Sequence, residues 1–482
     1  MLQPLSPANA SAIRTFLTES RFTEQEFRSR PNLRELSPTT RAFLLDYTRE
    51  PSRFNVLLRL LLFTVEVDKT LVEELIPAEI LAPLRESGVL SVNGDQIRPE
   101  VMLTPLANFW FAADPMTCIH EPEVVLWANQ TTRIVDLFSI RAQVGATLDL
   151  GSGCGVLSVM AAGHSGTVVA TDLNPRAEAF TRFNASLNGV SNIECFTGDT
   201  YETVKGRAFD LILANPPFFV TPTSSQLFCE NSMALDGYCR RVVREGAPML
   251  AEGGYMMMTL EWVQQKGQPW QERLAEWLDG AGCDAWILRA YTRDPGAYAQ
   301  ERLKNEMLED AASTRRKFEN WAAYYREQNV EQICGGMMIL RRRSGESWLR
   351  VEDLTIDVSE PVGDLVERVF ANQTVLSAHP SDEELIALRP RLGPECRLDQ
   401  KLRQAGGKWE PASLDLTMTR GLPGLLSVEW PVAQFLASCD GSRTLGELIA
   451  GIVATVRAPE AAVRSQCCAV VRKLAERRFL AL

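Results

Sequence analysis

An amide, two prolines and an aromatic ring stand in a row at Asn215-Pro216-Pro217-Phe218, directly after the apolar run 209–214. This corner could hold a flat nitrogen for attack. A planar amide or exocyclic amino nitrogen is a poor nucleophile because its lone pair is delocalised. The Asn215 side-chain oxygen and the Pro216 carbonyl can each accept one N–H, fixing the nitrogen against an electrophile and stabilising the positive charge that develops. Proline fixes φ, so that carbonyl keeps its direction, and Pro217 follows it at the corner. Phe218 offers a face on which a flat group can stack. No general base is needed if the proton leaves after transfer, and none of the three histidines lies in this stretch.

The electrophile needs a site of its own. Asp149-Leu150-Gly151-Ser152-Gly153-Cys154-Gly155 runs from an apolar strand into a glycine turn, and a second strand ends at Asp172-Leu173. Glycines at 151, 153 and 155 let a ligand approach the backbone closely. A dinucleotide turn spaces its glycines Gly-x-Gly-x-x-Gly and aims a helix at a pyrophosphate. Here the spacing is tighter by one residue and an acid precedes it, which suits a ligand with positive charge. S-adenosylmethionine is such a ligand. Asp172 is placed to accept from both ribose hydroxyls, and Asp199, followed by Thr200, to meet the adenine amino group. A dinucleotide turn, or a turn with no ligand, is the alternative.

With the two motifs in order at strand ends, the sequence resembles the class I methyltransferases dependent on S-adenosylmethionine that carry an Asn-Pro-Pro-aromatic motif, the small-domain group. That group includes HemK-like release-factor glutamine methyltransferases and ribosomal and transfer RNA base methyltransferases. The resemblance covers about residues 120–345. It implies S-adenosylmethionine as methyl donor, bound by Asp149, Gly151, Ser152, Gly153, Gly155, Asp172, Leu173, Asp199, Thr200 and Asn215. It implies the corner 215–218 as the catalytic element, and Thr131-Thr132 at the methionine end of the donor. The glutamine enzymes usually carry Tyr where this chain has Phe218, and a shorter helical N-terminal domain.

Composition bounds what surrounds these motifs. At 482 residues the chain exceeds one ordinary domain. Its apolar fraction of 45% supports large cores, and its net charge of −11 opposes non-specific attraction to nucleic acid. Eleven cysteines without a Cys-x-x-Cys, and three histidines, give no zinc pattern. The N-terminus does not read as a signal peptide, and no run is apolar and long enough to span a bilayer. A cytoplasmic location without a membrane partner is expected.

The elements that must position the site follow the chain. Residues 1–118 read as a helical, winged-helix-like domain: a capping-box pattern at Thr23 and Glu26, a helix over 54–67, another capped at Thr70 with Glu73, a third over 78–87, and a hairpin turning at Asn93-Gly94. The third helix sets Arg85 against Glu79 and Glu86, so docking or substrate positioning is favoured over nucleic-acid reading. Residues 119–345 form the methyltransferase domain, a Rossmann-like α/β fold. A helix begins over 123–128, and seven strands lie near 146–150, 167–171, 192–196, 209–214, 254–260, 284–290 and 335–342. The polar stretch Thr221-Pro222-Thr223-Ser224-Ser225-Gln226 could cover the substrate as a lid. A helical insertion, 295–332, carries Arg315-Arg316-Lys317 with Trp321, Tyr324 and Tyr325. That combination could hold RNA, or could be a helix with one solvated and one packed face. Arg341-Arg342-Arg343 reads as a solvated strand edge.

Residues 346–482 read as an accessory domain: a strand over 348–358, a helix over 362–370, a turn at Gly406-Gly407, a helix boxed by Thr444 and Glu447, and a helix from Pro459 to Arg478 before a short strand. From Asp440 onward it resembles PqqD-like winged-helix modules. Over 459–482 the bases Arg464, Arg472, Lys473, Arg477 and Arg478 outnumber Glu460 and Glu476, making a candidate nucleic-acid contact or a solvated helix face.

The expected activity is N-methylation of a planar amide or exocyclic amino nitrogen on a macromolecule, leaning to protein glutamine. An RNA or DNA base is the alternative. A winged-helix regulator that senses S-adenosylmethionine without turnover, or small-molecule N-methylation, also fits the motifs.

Overall fold

The computed structural model describes the chain except residues 1, 31–32, 34–37, 223–225, 305–309, 354–357, 423 and 457. Two compact units emerge, one comprising 1–136 and 142–354, the other 137–141 and 355–482.

The first unit is built on an eight-stranded sheet. Its strands are β1 (Val144–Leu150), β2 (Ser165–Asp172), β3 (Ile193–Thr197), β4 (Phe209–Ala214), β5 (Leu250–Gln265), β6 (Cys283–Arg293), β7 (Val330–Arg342) and β8 (Leu349–Asp353). Their order is β8-β6-β7-β5-β4-β1-β2-β3. β7 runs antiparallel between β5 and β6, and the other pairings are parallel. Covered on both faces, the central strands are apolar almost throughout: Leu211, Ile212, Leu213 and Ala214 are all buried. Chain order reverses at the β1–β4 pair, which opens a crevice beyond the carboxyl ends of these two strands. Seven of the eight strands are those expected. The eighth, β8, comes from the stretch assigned to the accessory domain; it pairs with β6 and covers an edge that would otherwise be open.

Among the helices that follow β1 are α1 (Val156–Ala162), α2 (Pro175–Leu187), α3 (Gly237–Gly246), α4 (Trp270–Leu278), α5 (Pro295–Leu303) and α6 (Ala311–Glu327). The N-terminal segment packs on α2 through one apolar core that joins Ile13, Phe16 and Leu17 to Phe180, Phe183 and Leu187. Two amides on α2 complete this seam. Asn184 Oδ1 accepts from Ala112 N (2.7 Å) while its Nδ2 donates to Ala112 O (2.9 Å). One turn later, Asn188 does the same for Trp110 (2.9 and 2.8 Å). Spaced i and i+4, the two side chains act as a substitute strand for the hairpin arm Phe109–Ala113 and satisfy backbone groups that burial would leave orphaned.

Three short strands (Val67–Asp68, Gln96–Pro99 and Leu90–Asn93) and the helices Lys69–Leu75 and Ala78–Glu86 give the winged-helix-like outline. Two details differ from expectation. The helix Lys69–Leu75 is capped by Asp68, which accepts from Leu71 N (3.0 Å), because the preceding strand already holds Asp68 extended; Thr70 lies inside the helix. The apolar helix starting at Arg53 ends in a π-turn, Leu58–Leu62, rather than continuing to 67. Arg85 pairs with Glu73 at 3.2 Å.

The second unit gathers the helices Gly363–Ala378, Leu445–Val453 and Glu460–Glu476, a meander of Cys396–Ala405, Lys408–Met418 and Leu425–Val428, and the pair Arg391–Leu392 with Leu480–Ala481. Both arms of the Thr444–Glu447 capping box are present, and Gly406 and Gly407 turn the meander at φ +55° and +81°. The basic stripe of the last helix is largely consumed. Arg464 pairs with Glu460 (3.0 Å), Arg472 donates to the His379 and Pro380 carbonyls, and Arg478 is buried. No described helix is long and apolar enough to cross a membrane.

Candidate active site

Beyond the ends of β1, β2 and β4 lies a cavity of about 450 Å³, within the range of small-molecule sites. Its wall includes Gly151, Ser152, Gly153, Asp172, Leu173, Asp199 and Asn215 from the expected site, with Pro217 from the corner. Further lining comes from 124–129, Thr132, residues of α1 and α2, parts of the stretch 227–233, Tyr238 and Arg241. Residues 124–129 are not helical: Val125 exchanges hydrogen bonds with Asp114, and the helix expected there begins at Gln130.

The turn decides what class of ligand fits. Gly151 N and Ser152 N both donate to Thr171 O (2.8 and 3.0 Å), Gly153 N donates to Asp172 Oδ2 (2.8 Å), and Gly155 N donates to Ser152 O (2.7 Å). A pyrophosphate cradle needs such groups turned outward, and here four are spent inside the protein. All three glycines have positive φ: +74°, +53° and +78°. A Cβ on Gly151 or Gly153 would meet nothing within 4 Å, leaving space for a ligand, whereas one on Gly155 would strike Thr181 of α2 at 2.8 Å.

The charges favour a cation. Asp172, Asp199 and Glu230 line the cavity against one base, Arg241. Asp172 takes Gly153 N on one oxygen and Asn174 N on the other (2.8 Å each), and burial raises its pKa. Asp149 stands behind the wall. Its Oδ2 accepts from Ser158 N (2.8 Å) and Ser158 Oγ (2.5 Å), serving the first turn of α1, while Oδ1 is buried without a partner. Burial pushes this carboxyl up to about 7; the Ser158 bonds oppose the rise and Asp172 adds to it. Gly155 and Thr200 also act from behind, Gly155 by helix packing and Thr200 by accepting from Arg241 Nη2 (2.9 Å). Asp199 is already engaged, since its Oδ2 accepts from Arg241 Nη1 (2.9 Å).

At the end of β4, Asn215 is gripped from two sides. Its Nδ2 donates to Thr132 Oγ1 (3.0 Å), and its Oδ1 accepts from Thr259 Oγ1 of β5 (2.8 Å). The Pro217 carbonyl accepts from Asn231 Nδ2 (2.8 Å), while among the described residues no donor meets the Pro216 carbonyl. Phe218 is 9% exposed and packs edge-to-face on Phe219 (5.5 Å) rather than lining the cavity. The chain beyond is pinned by the insertion. Val220 N donates to Tyr298 Oη (3.1 Å), Val220 O accepts from Tyr325 Oη (2.7 Å), and Arg302 lies 3.6 Å over the Phe219 ring. Tyr298, Tyr291 and Arg302 all donate to Glu261, which is fully buried on β5.

A carboxylate-lined crevice, a turn that spends four of its amides inside the protein and a clamped amide on the neighbouring strand are what a cationic group donor needs. Residues 131–280 match the family described as methyltransferase small domain.

The chain is similar to release factor glutamine methyltransferases of Xylella fastidiosa (34% identical over 179 residues) and Aquifex aeolicus (27% over 155). It is also similar to ribosomal RNA small subunit methyltransferase C of Citrobacter koseri (43% over 76). The alignments cover 34%, 30% and 15% of this chain and 64%, 54% and 22% of the relatives, so less than two thirds of each relative is matched. The site fits S-adenosylmethionine on structural grounds: an unpartnered buried carboxylate oxygen, open space over two glycines and an excess of acids.

Several residues escaped the sequence reading. Arg241 answers Asp199 from 42 positions away. Thr259 is the single hydroxyl in the apolar run Met256-Met257-Met258-Thr259-Leu260, which is the signal that could have found it. Of the insertion's aromatic residues, Trp321 and Tyr325 are buried and Tyr324 Oη accepts from Leu235 N (2.8 Å), while Phe318 is exposed. The arginines ending β7 are not a solvated edge. Arg343 pairs with buried Asp284 (3.0 Å), and Arg342 donates to Ala281 O (2.8 Å). Of the expected lid, residues 223–225 lie outside the described residues, and Gln226 bonds to Ile119 O.

Proposed function

We propose that this chain is an S-adenosylmethionine-dependent N-methyltransferase acting on a planar amide nitrogen of a protein, with glutamine as the acceptor side chain. The clamped Asn215 amide beside the acidic crevice carries the reading. The donor supplies an electrophilic methyl on a sulfonium, held by Asp172, Asp199 and the glycine turn. Asn215 Oδ1 has one lone pair left after Thr259, and the Pro216 carbonyl has both. Together they accept the two N–H groups of a primary amide, turn its nitrogen to the methyl, and stabilise the positive charge formed on transfer. The proton then leaves to solvent.

Protein is favoured over nucleic acid because the cavity wall is acidic and Trp321 and Tyr325 of the insertion are buried in packing rather than free to stack on bases. The release factor glutamine methyltransferases among the relatives support the same choice. The ribosomal RNA relative supports a base amino group as the second reading. Eleven free thiols support a reducing, cytoplasmic setting.

The test is transfer of labelled methyl to purified release factor and, separately, to ribosomal RNA. Label released by protease and not by nuclease supports the proposal. Label released only by nuclease replaces it with the second reading.

A further inference from the structure

We infer that Thr259 is a positioning residue that fixes which end of the Asn215 amide faces the acceptor, through a chain of hydrogen bonds with a single allowed direction. The inference rests on the N-methyltransferase reading. The direction follows from proton counting. Thr132 N, which can only donate, meets Asn129 Oδ1 at 2.9 Å, so that atom is an oxygen. Thr131 Oγ1 (2.8 Å) and Thr132 Oγ1 (3.0 Å) lie against the same oxygen, which carries no proton, so the Thr132 hydroxyl turns its one proton there rather than set lone pair against lone pair. Toward Asn215, therefore, Thr132 Oγ1 can only accept, and the atom it faces at 3.0 Å must be Nδ2. Asn215 Oδ1 consequently points to β5, where Thr259 Oγ1 donates to it at 2.8 Å.

Turning the amide over would set Oδ1 against a hydroxyl with no proton to give and Nδ2 against a hydroxyl now asked to accept. Either partner alone leaves the amide freer. Together they hold an acceptor oxygen toward the place where an N–H must dock. Thr259 does this from a buried position: it is 4% exposed and follows Met258, which pairs in register with Ala214 just before Asn215. Asn129 starts the chain as the cap of the helix Gln130–Phe138, accepting from Thr132 N, so a helix start on one side of the cavity and β5 on the other set one amide.

The test compares wild type with Thr259→Val, which keeps the shape and removes the proton, and Thr259→Ser, which restores it. Expected for Thr259→Val is a fall of about tenfold in kcat with release factor and unchanged donor affinity; Thr259→Ser stays within about twofold of wild type. A second reading needs no turnover: the ¹⁵N side-chain amide signal of Asn215, assigned by its loss in Asn215→Ala, splits or broadens in Thr259→Val and stays single in wild type. Should Thr259→Val fail to fold, Thr132→Val breaks the same chain from its other end and carries the same expected change in the Asn215 amide signal. An unchanged amide signal and unchanged kcat in the valine variant overturn the inference, as does a serine variant as impaired as valine. Absence of any methyl transfer by wild type defeats the functional reading, and the amide signal still decides the role of Thr259.

Discussion

Gly153 donates its amide N–H to Asp172 Oδ2 at 2.8 Å, tying the glycine turn after β1 to the acid at the end of β2. One carboxylate thus shapes the turn and faces the cavity, tying the two parts of the cavity wall together. Asp172→Ala removes both functions. Donor affinity is expected to fall by about 10- to 100-fold, the span set by one to two charged hydrogen bonds. Titration calorimetry of the variant checks it; undiminished affinity would separate Asp172 from the ribose.

Asn215→Ala leaves the glycine turn and both acids in place. Turnover is expected to fall at least a hundredfold while donor affinity stays within a few-fold, because the amide's contribution is to orient the acceptor. Parallel kinetics and calorimetry test this. Equal loss of both would move Asn215 from acceptor positioning to donor binding.

Asp149 gives a pH signature. Burial pushes its carboxyl from the ordinary carboxylate range up to about 7. A raised carboxyl binds more protons folded than unfolded, so its contribution is complete below about 4 and is lost as pH rises through 7. The ligand-free protein should lose stability over this window relative to Asp149→Asn, by a few kcal/mol. A cationic donor reverses the preference, so binding near pH 7 should release about half a proton. Denaturant melts at several pH values measure the first effect, and calorimetry in buffers of different ionisation heat measures the second.

The three glycines of the turn are not equivalent. Gly155→Ala meets Thr181 as well as a left-handed φ, and should lower stability by about 2–4 kcal/mol. Gly151→Ala meets only the φ penalty, roughly 1–2 kcal/mol, and should instead show its larger effect on donor binding. Thermal melts with and without donor distinguish the two.

What the chain declared in advance was local. The acid-glycine turn, the carboxylates at strand ends, Asn215 and the Thr444–Glu447 box each depend on neighbours within a few residues, so their order along the chain is enough to read them. What it concealed was long-range pairing. Nothing near Asn184 or Asn188 says that their amides will mimic a strand for Trp110 and Ala112. Trp321 and Tyr325 beside Arg315 resemble a nucleic-acid surface until Tyr325 is seen donating to Val220 O. Leu349–Asp353 reads as any alternating strand, and only the open side of β6 draws it into the sheet. Glu261 looks like a polar intrusion in an apolar strand, yet two tyrosines and an arginine from distant segments satisfy it.

A cationic methyl donor in the crevice beyond the ends of β1, β2 and β4 is the central claim. Titrating purified protein with S-adenosylmethionine, and with its demethylated product, in a calorimeter addresses this directly. Saturable one-site binding of the donor at micromolar concentration, weakened by Asp172→Ala and kept by Asn215→Ala, is the predicted result. No heat and no shift in melting temperature with either compound would contradict it.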